Sequence, residues 1–204
     1  MDLSKLTKEE KKAEPIPKKI PTAPQNISGD KYRRFDGFED ALKELKQNVI
    51  CMPSPQSFEE ICEQTIELGQ LCNKKDAALQ HVENERRIVD RIAHQKKTGK
   101  AFFQIGAKPI WGVTENSYLN DIIKCIGASN VLTEGNGMTQ REHIVRSAPN
   151  YIIISTMEGI DKDEAEIWRK LTKASIILVD GNIACCPTPQ NFRKTLESVI
   201  KGIE

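Results

Sequence analysis

The chain has 204 residues, 38% hydrophobic and 29% charged, and its 30 lysines and arginines stand against 29 acidic residues for a net charge of +1. A balance this even excludes a dominant polyanionic partner such as nucleic acid, and the apolar runs are far too short to span a bilayer. Met1 to Asn26 is charged and proline-rich where an export signal needs an apolar stretch, so no such signal is read in the chain.

In chain order, residues 1–31 alternate Lys and Glu with Pro15, Pro17, Pro21 and Pro24, which break any helix that Leu3 to Lys12 starts. This predicts a flexible tail; Glu9, Glu10 and Glu14 argue against the alternative of a basic membrane-surface anchor. From Tyr32 to Lys46, Phe35, Phe38, Leu42 and Leu45 recur at helical spacing, and Val49 to Met52 reads as a short strand closed by Pro53 and Pro55. Ser57 with Glu60 forms a capping-box pattern before Ile61, Leu68 and Leu71, and Gly69 is expected to weaken or bend that helix. A second helix, begun by Asn73, keeps its stripe through Val82, Val89 and Ile92. Its span from Lys74 to Lys97 is about 24 residues, on the order of 36 Å.

Ala101 to Gly106 is a short, aromatic, apolar run suited to a buried strand, followed by a loop holding Lys108, Pro109, Ile110, Trp111 and Gly112. Thr114 to Ser117 offer caps for a helix with Leu119, Ile122, Ile123 and Ile126, ended by Gly127. A loop from Thr133 to Met138, with Gly135-Asn136-Gly137 as a turn, leads to a short helix over Arg141 to Ser147 and then the strand Tyr151 to Ile154. Asp161 to Leu171 reads as a helix in which Trp168 is packing. Ser175 to Val179 reads as a fully apolar strand, and a loop from Asp180 to Pro189 precedes the last helix, Asn191 to Lys201. Apolar strands separated by helices predict an α/β fold with a parallel sheet covered by helices on both faces.

Catalytic signatures are missing. There is no nucleophile elbow, phosphate-binding loop or complete dinucleotide fingerprint, and neighbours Glu142 and His143 point to different faces of their helix. The six cysteines, Cys51, Cys62, Cys72, Cys125, Cys185 and Cys186, lack paired ligand spacing, so no zinc site is expected. No cofactor and no enzymatic activity are read from the chain. What remains is binding by loops: Pro109 to Glu115, Thr133 to Met138 and Asn182 to Thr188 are placed to converge at one rim of the sheet. Pro109, Trp111, Asn136, Met138, Asn182 and Cys186 are the candidate ligand contacts, with Trp111 as a flat contact for a macrocycle or aromatic chelate. The competing reading of Trp111 is a cover for the lobe's own core.

The stretch AFFQIGAKPIWGVTENSYLNDIIKCIGASNVLTEGNGMTQREHIVRSAPNYIIIS resembles the C-terminal lobe of the helical-backbone substrate-binding proteins of ABC importers, most of all the vitamin B12-binding members. The shared features are the strand with Gln104, the Pro109 loop, the helix ending in Cys125 to Gly127, and Glu142 before a strand announced by Ala148-Pro149. The resemblance runs from about Val49 to the C-terminus and implies a two-lobe periplasmic binding protein whose N-terminal lobe is truncated. Residues 32–56 are then a remnant of that lobe, 57–97 a helical hairpin with the long interlobe helix, and 98–204 the C-terminal α/β ligand-binding lobe. It further implies a cobalamin or other corrinoid, or an iron complex such as a siderophore or haem, as ligand. Cys185 and Cys186 stand where binders of anionic siderophores tend to carry cations, so a neutral ligand suits the loop better.

Its implied partner is an ABC permease in the membrane, its location periplasmic or extracellular and membrane-associated. In the family an acidic residue docks against permease arginines, and Glu142 occupies the matching helix start. A carboxylate there also offsets the partial positive charge of a helix N-terminus, typically by about 0.3–1 kcal/mol. A stripe of Val82, Val89 and Ile92 without a partner lobe implies a homodimer or larger oligomer. The reading from a different class is a sensor or interaction module that has kept one lobe and no transport.

Overall fold

The computed structural model describes residue 50 and residues 52–93, 98–156 and 161–203. The chain divides into two units, Met1–Cys51 and Met52–Glu204, and all helices and strands of the described residues belong to the second. The expected tail, the helix at Tyr32 to Lys46, most of the strand at Val49 to Met52 and the last residues of the long helix lie outside the described residues.

Two helices come first, α1 (Phe58–Leu71) and α2 (Lys75–Ala93). Ser57 caps α1 as read, its Oγ accepting from the Glu60 N–H at 3.1 Å. The Glu60 carboxylate reaches one residue further back than a capping box requires, accepting from the Gln56 N–H at 2.7 Å. The Phe58 N–H, another donor without an intrahelical partner, finds Asp121 Oδ2 at 2.9 Å. Gly69 neither breaks nor frees the helix. A Cβ there would sit 2.4 Å from the Ala78 Cβ, so the glycine lets α1 and α2 approach closely. Asn73 does not start α2 but turns the chain with φ of 56°.

Among the described residues the sheet has six strands: β1 (Gly99–Ala107), β2 (Ile110–Gly112), β3 (Ala128–Asn130), β4 (Met138–Thr139), β5 (Tyr151–Thr156) and β6 (Ser175–Asp180). The main order is β4-β2-β1-β5-β6, with β3 also paired to β1. Ala101 pairs with both Asn130 and Tyr151, and Gln104 with both Gly112 and Ile154. Strands β2 and β3 therefore share the edge of β1 opposite β5. The pairs β1–β3, β1–β5 and β5–β6 are parallel as expected, but β1–β2 and β2–β4 are antiparallel, so the sheet is mixed. The supposed loop at Lys108 to Gly112 is thus a hairpin turn and a strand.

The remaining helices are α3 (Tyr118–Cys125), α4 (Arg141–Ser147), α5 (Asp161–Leu171), the single-turn α6 (Gly181–Ala184) and α7 (Pro189–Ile203). Ser117 caps α3, accepting from the Leu119 N–H at 3.3 Å. The last helix starts two residues earlier than its periodicity shows, because Thr188 Oγ1 accepts from the Asn191 N–H at 3.2 Å and Pro189 is well suited to a first helical position.

Alternation along the strands sends side chains to two cores. Ala101, Phe103, Ile153, Ile177 and Val179 pack with Ile61, Val89, Ile122, Leu196 and Val199 from α1, α2, α3 and α7. Phe102, Ile152 and Ile154 pack on the other face with Ile144 of α4 and Ala165 and Trp168 of α5. Among the described residues coverage is incomplete at β6, whose Leu178 is 42% exposed, since this strand closes one edge and the second face carries two helices. Val82 and Val89 of α2 are buried within the unit itself, and Ile92 packs partly buried against the first core. The dimer expected from these three positions loses its basis: they are no unpartnered stripe.

Candidate functional site

In parallel strands the loops that follow the C-terminal ends share one rim. Here that rim holds the β1–β2 turn, the end of β5 at Thr156, and the end of β6 with α6 behind it. Pro109 is exposed in the hairpin turn and Trp111 is half-buried on β2. Trp111 pairs with Gly106 on one side and with Met138 of β4 on the other, and Met138 is 57% exposed. Asn136 Oδ1 accepts from the Met138 N–H at 3.0 Å, which fixes the turn that delivers β4. Gly137 must be glycine, with φ of 91° and a Cβ position 2.5 Å from the Gly112 carbonyl oxygen. Four of the sequence candidates, Pro109, Trp111, Asn136 and Met138, are therefore gathered on one side of the rim.

Asn182 and Cys186 stand at the other side. Asn182 opens α6, its backbone N–H donating to Asp180 Oδ1 at 2.9 Å. Strands β4 and β6 are four positions apart in the sheet, about 19 Å at roughly 4.8 Å per spacing. One small ion cannot touch both groups. Lys108, Glu115, Glu134 and Asp180 are exposed on these loops, so among the described residues no cationic surplus marks the rim. A shallow depression of about 580 Å³, lined by Val145, Pro149, Tyr151, Leu171 and Ser175, opens at the opposite ends of β5 and β6 and is remote from these candidates.

Beneath the hairpin lies a buried polar network that the sequence did not disclose. Gln104, fully buried, accepts from Trp168 Nε1–H at 2.6 Å and donates to the Gly106 carbonyl at 3.0 Å and to Glu164 Oε2 at 3.1 Å. Arg141 donates to Glu164 Oε1 at 2.6 Å, and its guanidinium carbon lies 5.1 Å from the centre of the Trp168 ring. The network ties the base of the hairpin to α5 and to the first residue of α4. A glutamine inside an otherwise apolar strand was the available signal, since a buried amide must find partners. Glu142 follows Arg141 and is exposed in the first turn of α4, whose N-cap Gln140 makes no side-chain cap.

The cysteines divide by environment. Burial pushes the Cys62 thiol up from 9.0 to about 11, with Arg86 opposing, and likewise raises Cys125 to about 11. Burial also lifts the Tyr118 hydroxyl well above the usual tyrosine range, with Cys185 and Cys186 adding to the shift. A group whose folded value is raised favours the folded state while protonated, and that contribution is lost as pH rises from its unfolded value through its folded one. Stability is therefore expected to fall between pH 9 and about pH 11, by about 1.4 kcal/mol per pH unit for each of the two thiols. Denaturant titrations across this range will measure the slope, and a Cys62→Ala, Cys125→Ala variant should flatten it between pH 9 and 10, leaving above pH 10 the part that Tyr118 carries. A wild-type stability that stays level to pH 11 would contradict the assignment.

Among the described residues no group of three or more His, Cys, Asp or Glu side chains is arranged to hold a metal ion. Comparison with known proteins gives the wider context. Residues 27–175 match the family model described as periplasmic binding protein, starting well before Val49. No curated protein matches the chain. Among solved structures, a possible iron-binding (periplasmic solute-binding) protein from Staphylococcus epidermidis is 22% identical with a TM-score of 0.69, over 84% of this chain and 73% of that one. The periplasmic haem-binding protein HutB of Vibrio cholerae gives 14% and 0.68, over 82% and 72%, and the periplasmic vitamin B12-binding protein BtuF of Vibrio cholerae gives 14% and 0.65, over 82% and 71%. Scores this close do not separate the vitamin B12 binder from the others. The family match covers most of the chain, and the likeness to these structures is one of fold, so the chain belongs to the periplasmic binding protein family.

Proposed function

We propose that the protein is the substrate-binding component of an ABC importer for a metal complex, either a corrinoid or an iron complex such as haem or a siderophore. The observation that carries this reading is the rim itself: a half-buried tryptophan on β2 beside an exposed methionine on β4 at one side, and Asn182 and Cys186, just beyond the far strand β6, at the other. A wide, flat, largely neutral ligand matches both that span and that chemistry. The chain would then work outside the cytoplasmic membrane, delivering its ligand to a membrane permease. Titration with haemin, aquocobalamin and ferric siderophores, followed by tryptophan quenching, tests the reading, and failure of all of them to bind overturns it.

Permease docking falls to Glu142 in this reading. Its carboxylate is exposed on a helix start held from behind by the Arg141–Glu164 pair, and a charge so fixed can meet an arginine with defined geometry. Glu142→Gln is expected to leave ligand affinity and thermal stability in place while permease affinity falls about tenfold or more. Unchanged uptake by the variant would remove the docking role.

A further inference from the structure

The ladder between β1 and β2 is irregular at one place. Gln104 pairs with Gly112 and Gly106 with Trp111, two steps along β1 against one along β2, so Ile105 is the extra residue of a bulge. At this bulge the Gly106 carbonyl accepts from the Gln104 side-chain amide at 3.0 Å. Trp111 lies over the same glycine: a Cβ on Gly106 would stand 3.2 Å from both Cβ and Cδ1 of the tryptophan. The place of Trp111 at the rim is thus set against Gly106, and Gly106 is held by Gln104.

Gln104 is itself fixed. Its nitrogen has a second acceptor in Glu164 Oε2, and its oxygen is taken by the Trp168 N–H, so the amide has one orientation that satisfies all three partners. The other oxygen of Glu164 accepts from Arg141, the first residue of α4. Each oxygen of this buried carboxylate is therefore committed to a different part of the molecule, one to the strand that carries the hairpin and one to the helix start that carries Glu142. Burial makes the exchange of either donor for water costly, so the two parts are held through one side chain.

We propose that Glu164 is a positioning residue that joins the hairpin carrying Trp111 to the start of α4, so that a ligand seated on the hairpin also stiffens the helix that presents Glu142. This joint rests on the reading of the rim as the ligand site and of Glu142 as the docking residue, and it supplies the path between them. A ligand that confines the hairpin removes part of the ordering cost that a partner of α4 would otherwise meet. The effect is reciprocal, since docking at α4 must strengthen ligand binding by the same factor.

Backbone hydrogen exchange on the full chain tests the joint from both ends. Without ligand, Arg141→Met is expected to speed exchange about fivefold at Gly112 and Val113, whose N–H groups donate to the Gly137 and Phe103 carbonyls at 2.8 Å. Gln104→Met, cut at the other end, should speed His143 and Ile144, the first amides bonded within α4, by a similar factor. Ile123→Val, in the core on the opposite face, is the control: it lowers stability without touching the joint, and should speed the slow amides together. With haemin, aquocobalamin or a ferric siderophore bound, the wild type should be protected at Gly112 and also at Ile144. Glu164→Gln has a single amide oxygen and can serve one donor of the two, so it should keep the protection at Gly112 and lose that at Ile144. Protection of the hairpin with none at α4 in the liganded wild type would overturn the inference and leave the binding-protein reading intact. So would hairpin exchange in Arg141→Met that rises no more than the rest of the sheet. Failure of all three titrants to bind would overturn both.

Discussion

Trp168→Ala is expected to destabilise the protein by about 5 kcal/mol, a large part of what a domain of this kind possesses. The ring is fully buried, meets Phe102 edge-on with centroids 5.9 Å apart, and carries the only side-chain hydrogen bond to Gln104 Oε1 among the described residues. Truncation opens a cavity costing about 3–5 kcal/mol, and the orphaned Gln104 oxygen and the lost face for Arg141 add to it. For a unit of this size the melting temperature should drop by roughly 10–20 °C. Trp168→Phe separates the contributions, since it keeps most of the packing and removes only the indole N–H. It should cost about 1–3 kcal/mol, measured by urea unfolding. A loss under about 1 kcal/mol in the alanine variant would show that the ring is not the keystone of the second core.

The second large effect belongs to the clamp between α2 and α7. Arg193 Nε donates to Glu85 Oε2 at 2.6 Å and its Nη1 to both oxygens of Glu197 at 2.8 Å, and Glu85 is only 4% exposed. These hydrogen bonds, that to Glu197 foremost, hold the guanidinium above its ordinary range. Arg193→Met leaves the Glu85 carboxylate buried without its partner, and the expected cost is about 3 kcal/mol. The pair itself contributes far less than that, because burying both charges costs nearly what their attraction returns. The double variant Glu85→Leu, Arg193→Met should therefore recover to within about 1 kcal/mol of wild type. Equal losses in the single and double variants would mean that shape, not charge, is what Arg193 supplies at this contact. Arg86 and Glu59, paired between α1 and α2, are the internal comparison, and removing the more exposed partner, Glu59, should change stability by less than about 1 kcal/mol.

Local chemistry was enough to place most of the long elements. The helix over Asp161 to Leu171, the helix over Arg141 to Ser147, the Ser57 cap and the cores of the three long strands were legible because periodicity, caps and Gly127 act within a few residues, whereas Thr114 to Ser117 offered several caps for α3 and the fold chose Ser117. The burial of Trp168 was legible as well, from the apolar spacing of its helix. Strands β2, β3 and β4 were not, because two or three residues carry no period and become strands only by pairing with residues distant in sequence. The same reason governs the site. That Trp111 and Met138 are neighbours is a fact of the β2–β4 ladder, and that Asn182 and Cys186 lie on the far side of the rim is a fact of strand order. Gln104, Arg141, Glu164 and Trp168 are unconnected positions along the sequence, and only the fold, by stacking α4 and α5 on one face of β1 and β5, makes them a single network in which the Gln104 amide, the Glu164 carboxylate and the Trp168 N–H answer one another's burial.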